Sequence, residues 1–78
     1  MTLNDFKHQQ QGRIERLETT HHGIALTRRL AALGLVPDRI VTLIRRAPLC
    51  GPLHVRVGST TEIALRRAEA ACIRVTPV

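Results

Sequence analysis

The chain is short, aliphatic and strongly basic. It has 78 residues, 12 Lys and Arg against 6 Asp and Glu, a formal net charge of +6, and Phe6 as its one aromatic residue. This length allows one domain, which buries about 60% of its unfolded surface. Two cysteines are too few for a disulfide framework. No stretch approaches the ~20 apolar residues that span a bilayer, and the polar amino terminus predicts no signal peptide. We therefore expect a complete, single-domain cytoplasmic protein.

The first residues form a polar leader over positions 1–11, which we expect to be partly ordered. Leu3 and Phe6 lie three apart in it, a spacing that predicts one short turn placing both side chains on a core. A strand is predicted next, over residues 12–18, with Ile14 as its clearest core position. Leu17 has the opposite parity to Ile14, and a β-bulge would reconcile the two.

One helix is predicted in the first half of the chain. Leu26, Leu30 and Leu33 follow a loop at residues 19–23, and their spacing puts them on one helix face. Gly34 then supplies the left-handed residue that ends a helix.

The second half alternates short strands with turns. Residues 40–44 are mostly β-branched and predict a buried strand, and Leu53, Val55 and Val57 alternate with polar residues. A further strand, a short helical turn and a closing strand are predicted over residues 59–63, 65–71 and 72–75. About five strands, one main helix and a helical turn before the last strand indicate a mostly β fold, a small barrel.

Several sequence pieces, in this order and spacing, resemble the FeoA family of small SH3-like proteins. They cover roughly residues 12–75 and read Arg28-Arg29-Leu30, Leu33-Gly34-Leu35, Pro37, Arg45-Arg46-Ala47-Pro48-Leu49, Gly51-Pro52-Leu53 and Ala64-Leu65-Arg66-Arg67-Ala68-Glu69-Ala70. The chain departs from the family pattern at Asp38 and Cys50, where the family usually has glycine. Asp tolerates left-handed geometry better than most residues, so the turn at Asp38 should survive.

The resemblance implies an SH3-like barrel and a cytosolic accessory protein of bacterial ferrous iron uptake. Such a protein would bind the GTPase side of a membrane permease, FeoB, and modulate its activity or assembly. The resemblance implies no activity of the chain's own. The residues agree, since the six carboxylates are scattered and no Gly-rich phosphate loop is present. We therefore expect a protein that is not an enzyme and that requires no cofactor.

Three arginine pairs are the candidate partner-binding residues. Their planar cations suit an acidic protein face or an anionic lipid surface near the permease. The alternative is that they are exposed ends of helix and strands whose stems shield core edges. The pairs are Arg28-Arg29, Arg45-Arg46 and Arg66-Arg67.

Histidines supply the candidate metal ligands. His21 and His22 are adjacent in a loop, and imidazole is a common ligand of transition metals. Since protein zinc sites take three or four ligands, solvated loop histidines are the simpler interpretation. A homodimer could complete a weak surface site for zinc or iron. Cys50 with His54 is a second, weaker pair.

Other functions for a small basic barrel stay open. The charge also suits a small RNA-binding barrel, but single strands usually stack on aromatic side chains, so we expect no specific nucleic acid. The SH3-like domain of an iron-dependent repressor is a third possibility, although no helix-turn-helix segment is present. Recognition of proline motifs is excluded, because its grooves are lined by aromatic residues.

Overall fold

The structure is a computed structural model that describes residues 1–18, 23–49 and 51–78. A 3-10 turn at Leu3–Asp5 comes first. The strands and helices that follow are β1 (Gln11–Leu17), α1 (Gly23–Ala32), β2 (Ile40–Arg46), β3 (Leu53–Val57), β4 (Thr61–Leu65), α2 (Arg67–Ala70) and β5 (Ile73–Pro77). Residues 19–22 of the predicted loop lie outside the described residues. No helix in the described part is long and apolar enough to cross a membrane.

The five strands form one antiparallel sheet in the order β4-β3-β2-β1-β5. The sheet is not closed, because β4 and β5 are its two edges, and α2 lies in the connection between them. The prediction of a mostly β, barrel-like fold is confirmed, with one main helix and a helical turn before the last strand.

The sheet contains two bulges, one in β1 and one in β2. The register against β5 shifts between Ile14 and Arg16, and the register of β2 against β3 shifts between Leu43 and Arg45. An extra residue reverses the inward and outward alternation of a strand. Ile14 is therefore fully buried while Leu17 also packs against the core. The β-bulge that was predicted because Ile14 and Leu17 have opposite parity is therefore present.

The core is aliphatic apart from Phe6, and it draws on all five strands, both helices and the leader. Its buried members are Leu3, Phe6, Ile14, Leu30, Leu35, Val41, Leu43, Leu53, Val55, Val57, Leu65, Ala70, Ile73 and Val75. Burial on this scale contributes roughly 25 cal/mol for each Å² of apolar surface removed from water, which is the main stabilising term in so small a domain.

The leader is attached to the sheet on both sides. The Gln9 N–H donates to the Leu43 carbonyl at 2.7 Å, and the Val75 N–H donates to the Met1 carbonyl at 2.9 Å. Phe6 lies against the backbone of Gly12, where an added Cβ would overlap the ring atom Cζ. Only glycine at this position leaves room for the ring. Leu3 and Phe6 thus lie on the core, as their spacing predicts.

Helix α1 ends as predicted. Its Leu30 is buried, and Gly34 follows with φ of 97°. Asp38 also has a left-handed backbone, with φ of 72°. Its N–H donates to the Ile14 carbonyl at 2.8 Å. The turn after the helix therefore keeps its geometry with Asp in place of glycine.

Candidate partner-binding surface

Glu69 of α2 holds two of the predicted arginines together. Its carboxylate forms an ion pair with Arg29 of α1 and accepts a hydrogen bond from the Arg66 N–H at 2.9 Å. The Glu69 side chain is only 13% exposed, whereas that of Arg29 is 54% exposed. The carboxylate is therefore a support beneath the surface, and the guanidinium stays accessible to a partner.

Two neighbouring grooves share these residues. The first, which we call the helix groove, has a volume of about 360 Å³ and runs between α1 and α2. Small or apolar side chains of Ala25, Leu26 and Ala68 line it together with Arg29, Arg66 and Glu69. The second, the middle groove, is lined by Arg29, Arg66 and Glu69 and also by Pro52 and Ala64. Arg29 and Arg66 thus stand where the two grooves meet.

A third groove continues this surface along β3 and β4. This strand groove has a volume of about 230 Å³, and Arg45 lines it. It shares Pro52 and Ala64 with the middle groove. Three arginines from distant parts of the sequence, Arg29, Arg45 and Arg66, therefore border one continuous surface, which we call the arginine face.

The other three predicted arginines do not line this face among the described residues. Arg46 donates from Nη2 to the Phe6 carbonyl, so its guanidinium fastens the leader. The Arg67 carbonyl accepts a hydrogen bond from Asn4 Nδ2 at 3.0 Å, and its side chain is half-buried. Arg28 is exposed on α1. Each predicted pair thus sends one member to the arginine face and the other elsewhere.

The predicted metal ligands are described only in part. His21, His22 and Cys50 lie outside the described residues. His54 is described, and its Nε2 lies 3.0 Å from Glu62 Oε1, while Arg56 Nη2 lies 3.2 Å from Glu62 Oε2. Within residues 1–18, 23–49 and 51–78, no three His, Cys, Asp or Glu side chains converge as a metal site would need. The metal site stays a prediction.

Sequence reasoning missed the carboxylates of this surface. Glu69 lies three residues after Arg66, which precedes α2, and this is the spacing at which a side chain reaches back to the start of a helix. That signal was available in the sequence. The pairing of Glu69 with Arg29, 40 positions away, depends on how α1 packs beside α2, and no local pattern contains it.

Comparison with known proteins identifies the fold and the family. The FeoA domain family model matches residues 1–77. No protein with a curated description matches significantly. The structure is similar to the FeoA of Stenotrophomonas maltophilia, an SH3 domain protein solved in complex with zinc. The two are 34% identical, over 97% of this chain and 89% of that one, with a TM-score of 0.84.

Two further likenesses show how widely this fold occurs. The iron(II) transport protein A of Clostridium thermocellum is 32% identical, over all of this chain and 46% of that one, with a TM-score of 0.89. A manganese-dependent transcriptional repressor is 19% identical, over all of this chain and 36% of that one, with a TM-score of 0.87, a likeness of fold alone. The predicted SH3-like fold is confirmed, and since the family model matches nearly every residue, the chain belongs to the FeoA family.

Proposed function

We propose that this chain is a cytosolic accessory protein of ferrous iron uptake. It binds the GTPase side of an FeoB-type permease and modulates the activity or assembly of that permease. Membership of the FeoA family supports the role in iron uptake. For the Stenotrophomonas maltophilia relative, a role as a ferrous iron transport activating factor has been put forward.

The arginine face is the single observation that carries the binding part of this proposal. Arg29, Arg45 and Arg66 border three connected grooves, and the helix groove between Arg29 and Arg66 has an apolar floor. Apolar contact supplies affinity at an interface, while charge complementarity supplies orientation and a fast encounter. This surface suits a partner segment that places an apolar side chain in the groove and carboxylates beside it.

The buried aromatic ring weighs against the RNA-binding alternative. Phe6 is the one aromatic residue of the sequence and is 1% exposed, so it cannot stack on a base. The basic residues therefore have no exposed aromatic side chain beside them on which a base could stack. An acidic protein partner needs only the cations, which the arginine face presents.

A pull-down of the permease's cytosolic portion tests the proposal. The informative variant is Arg45→Glu/Arg66→Glu, because it reverses two charges of the face and leaves the Arg29–Glu69 pair intact. The matched control is Arg13→Glu/Arg16→Glu, which makes the same charge change at exposed positions of β1. We expect capture by the native protein and the control, and loss of capture by the arginine-face variant.

Each other outcome of the pull-down has a definite meaning. Equal capture by both variants would remove the arginine face from the proposal. Equal loss in both would show that net charge alone drives the contact. No capture by the native protein in any nucleotide state would contradict the permease as partner. GTP hydrolysis measured with and without the protein separates an activator from an assembly factor.

We also propose that His21 and His22 bind a divalent transition metal weakly, with a second copy of the chain completing the ligand set. The zinc complex of the Stenotrophomonas maltophilia relative makes zinc the first ion to test. Zinc titration followed by sedimentation should show zinc-dependent dimers that His21→Ala/His22→Ala abolishes. Dimers that form in that variant, or no zinc binding by the native chain, would contradict the site.

A further inference from the structure

One apolar side chain in the turn between β2 and β3 is exposed almost completely. Leu49 is 99% exposed, whereas the partly exposed Ile24 of α1 keeps 62%. A leucine in water contributes nothing to the hydrophobic stabilisation of its own chain. Its side chain therefore adds nothing to the stability of the fold, although single exposed apolar residues are common on protein surfaces.

The backbone at Leu49 makes the residue more unusual. Its φ is 58°, in the left-handed region that glycine, asparagine and aspartate occupy far more readily than leucine. A turn selected for stability alone would place one of those residues here. Strain of this kind persists where the surrounding structure fixes it, and it concentrates at binding sites.

The surrounding turn does fix it. The Ala47 N–H donates to the Pro52 carbonyl at 3.0 Å, and the Gly51 N–H donates to the Pro48 carbonyl at 3.2 Å. A Cβ on Gly51 would stand 2.7 Å from the Ala47 Cβ, so the two sides of the turn are in close contact. Hydrogen bonds among the described residues on both sides of Leu49 therefore restrain the backbone that presents it, and restraint before binding lowers the entropy cost of binding.

The turn is also continuous with the arginine face. Ala47 and Pro52, which close the turn, line the strand groove together with Arg45. Leu49 itself does not line the groove, but it lies two residues after Ala47, at the border of the arginine face.

We propose that Leu49 is an apolar anchor that inserts into a pocket on the partner protein, a pocket with an apolar interior and carboxylates at its rim. The inference rests on the proposed function, under which this pocket lies on the GTPase side of the permease. A protein pocket fits better than a bilayer, because the turn presents one leucine and no aromatic residue, and a single apolar group gives only marginal membrane attachment.

The test compares the affinities of four proteins for the permease's cytosolic portion. Leu49→Asn removes the apolar group and suits the left-handed backbone, so the turn stays folded. We expect it to weaken binding by about 10- to 100-fold, the loss that corresponds to one buried leucine side chain. Leu49→Met keeps the apolar volume and should keep most of the affinity. Val78→Asn makes the same kind of change at another exposed apolar residue and should change affinity by no more than about twofold.

The outcomes separate the anchor from the proposed function. If Leu49→Asn binds as tightly as the native chain while Arg45→Glu/Arg66→Glu does not, the anchor is wrong and the arginine face stands. If the native chain does not bind, both proposals fall. Binding of the same proteins to phosphatidylglycerol vesicles is measured in parallel. If Leu49→Asn keeps its affinity for the permease and loses only vesicle binding, the anchor belongs to a membrane and the protein pocket is overturned.

Discussion

Phe6 and Leu49 are both apolar residues outside the strands and helices, and their surroundings are opposite. Phe6 is 1% exposed and lies against Gly12, whereas Leu49 is 99% exposed on a closed turn. The leader is fastened by its apolar side chains. The turn is fastened by its backbone hydrogen bonds and holds its apolar side chain in solvent. The first residue contributes to the core that stabilises the fold, and the second is the residue proposed to contact a partner.

The largest expected effect comes from removing the buried ring of Phe6. Phe6→Ala should cost about 3–5 kcal/mol, because it leaves a cavity where the ring filled the core. That is a large share of the roughly 5–15 kcal/mol that stabilises a typical domain. Urea denaturation followed by circular dichroism measures the loss. Lys7→Ala, at the exposed next position, should stay within about 0.5 kcal/mol; equal losses in the two variants would mean that the ring does not support the core.

The contact between Phe6 and Gly12 predicts the next effect. Gly12→Ala should cost about 1–3 kcal/mol, since its Cβ would overlap the ring and force it to move. In the Phe6→Ala background the ring is gone, so the same substitution should cost clearly less. A double-mutant cycle by urea denaturation measures this coupling. Strict additivity would show that the cost of Gly12→Ala comes from elsewhere, for example from the Thr76 carbonyl, 3.0 Å from the added Cβ.

For Leu49, the exposed residue of this comparison, we expect a substitution that increases stability. Leu49→Asn should raise the free energy of unfolding by up to about 1 kcal/mol, because asparagine adopts the left-handed backbone at lower cost. The melting temperature measures the gain. Leu49→Ala is the matched control, since it removes the apolar side chain and keeps a residue that disfavours positive φ. An equal gain in both variants would attribute the effect to lost exposure and not to the backbone.

Most of the fold could be predicted because buried apolar residues recur in the sequence at the spacing of a helix or a strand. The spacing of Leu26 and Leu30 predicts α1, the alternation of Val55 and Val57 predicts β3, and the parity conflict between Ile14 and Leu17 indicates a bulge that the structure contains. Each of these signals joins residues that are close in the sequence.

The candidate surface was harder to predict from the sequence than the fold. The arginine pairs are visible there, but adjacent residues of a strand or helix point in different directions. The fold therefore sends Arg45 to the strand groove and Arg46 to the leader. The exposure of Leu49 could not be predicted either, because the sequence does not show whether a leucine between turn residues is buried or exposed. Side chains that meet across the fold, such as Arg29 and Glu69, are found only from the tertiary structure.

The smallest effect concerns the β1 bulge, where an exposed carboxylate meets β5. The Thr76 hydroxyl donates a hydrogen bond to Glu15 and holds the pKa of this carboxyl below its ordinary value. A carboxyl with a lowered pKa contributes stability above its unfolded pKa, and this contribution is lost as the pH falls through the folded pKa. Solvent screening keeps the contribution small because Glu15 is exposed.

Thr76→Val removes that hydroxyl at nearly constant shape and should return the pKa of Glu15 upward, toward its ordinary value. Thr76→Ser, which keeps a donor, should leave the pKa of Glu15 low. Carbon-13 NMR titration of the Glu15 carboxyl measures both. The stability difference between the native chain and Thr76→Val should be present at neutral pH and shrink once the pH falls below the ordinary pKa of about 4.5. If Thr76→Val leaves the titration unchanged, the nearby amino terminus and arginines, and not the Thr76 hydroxyl, lower the pKa of Glu15.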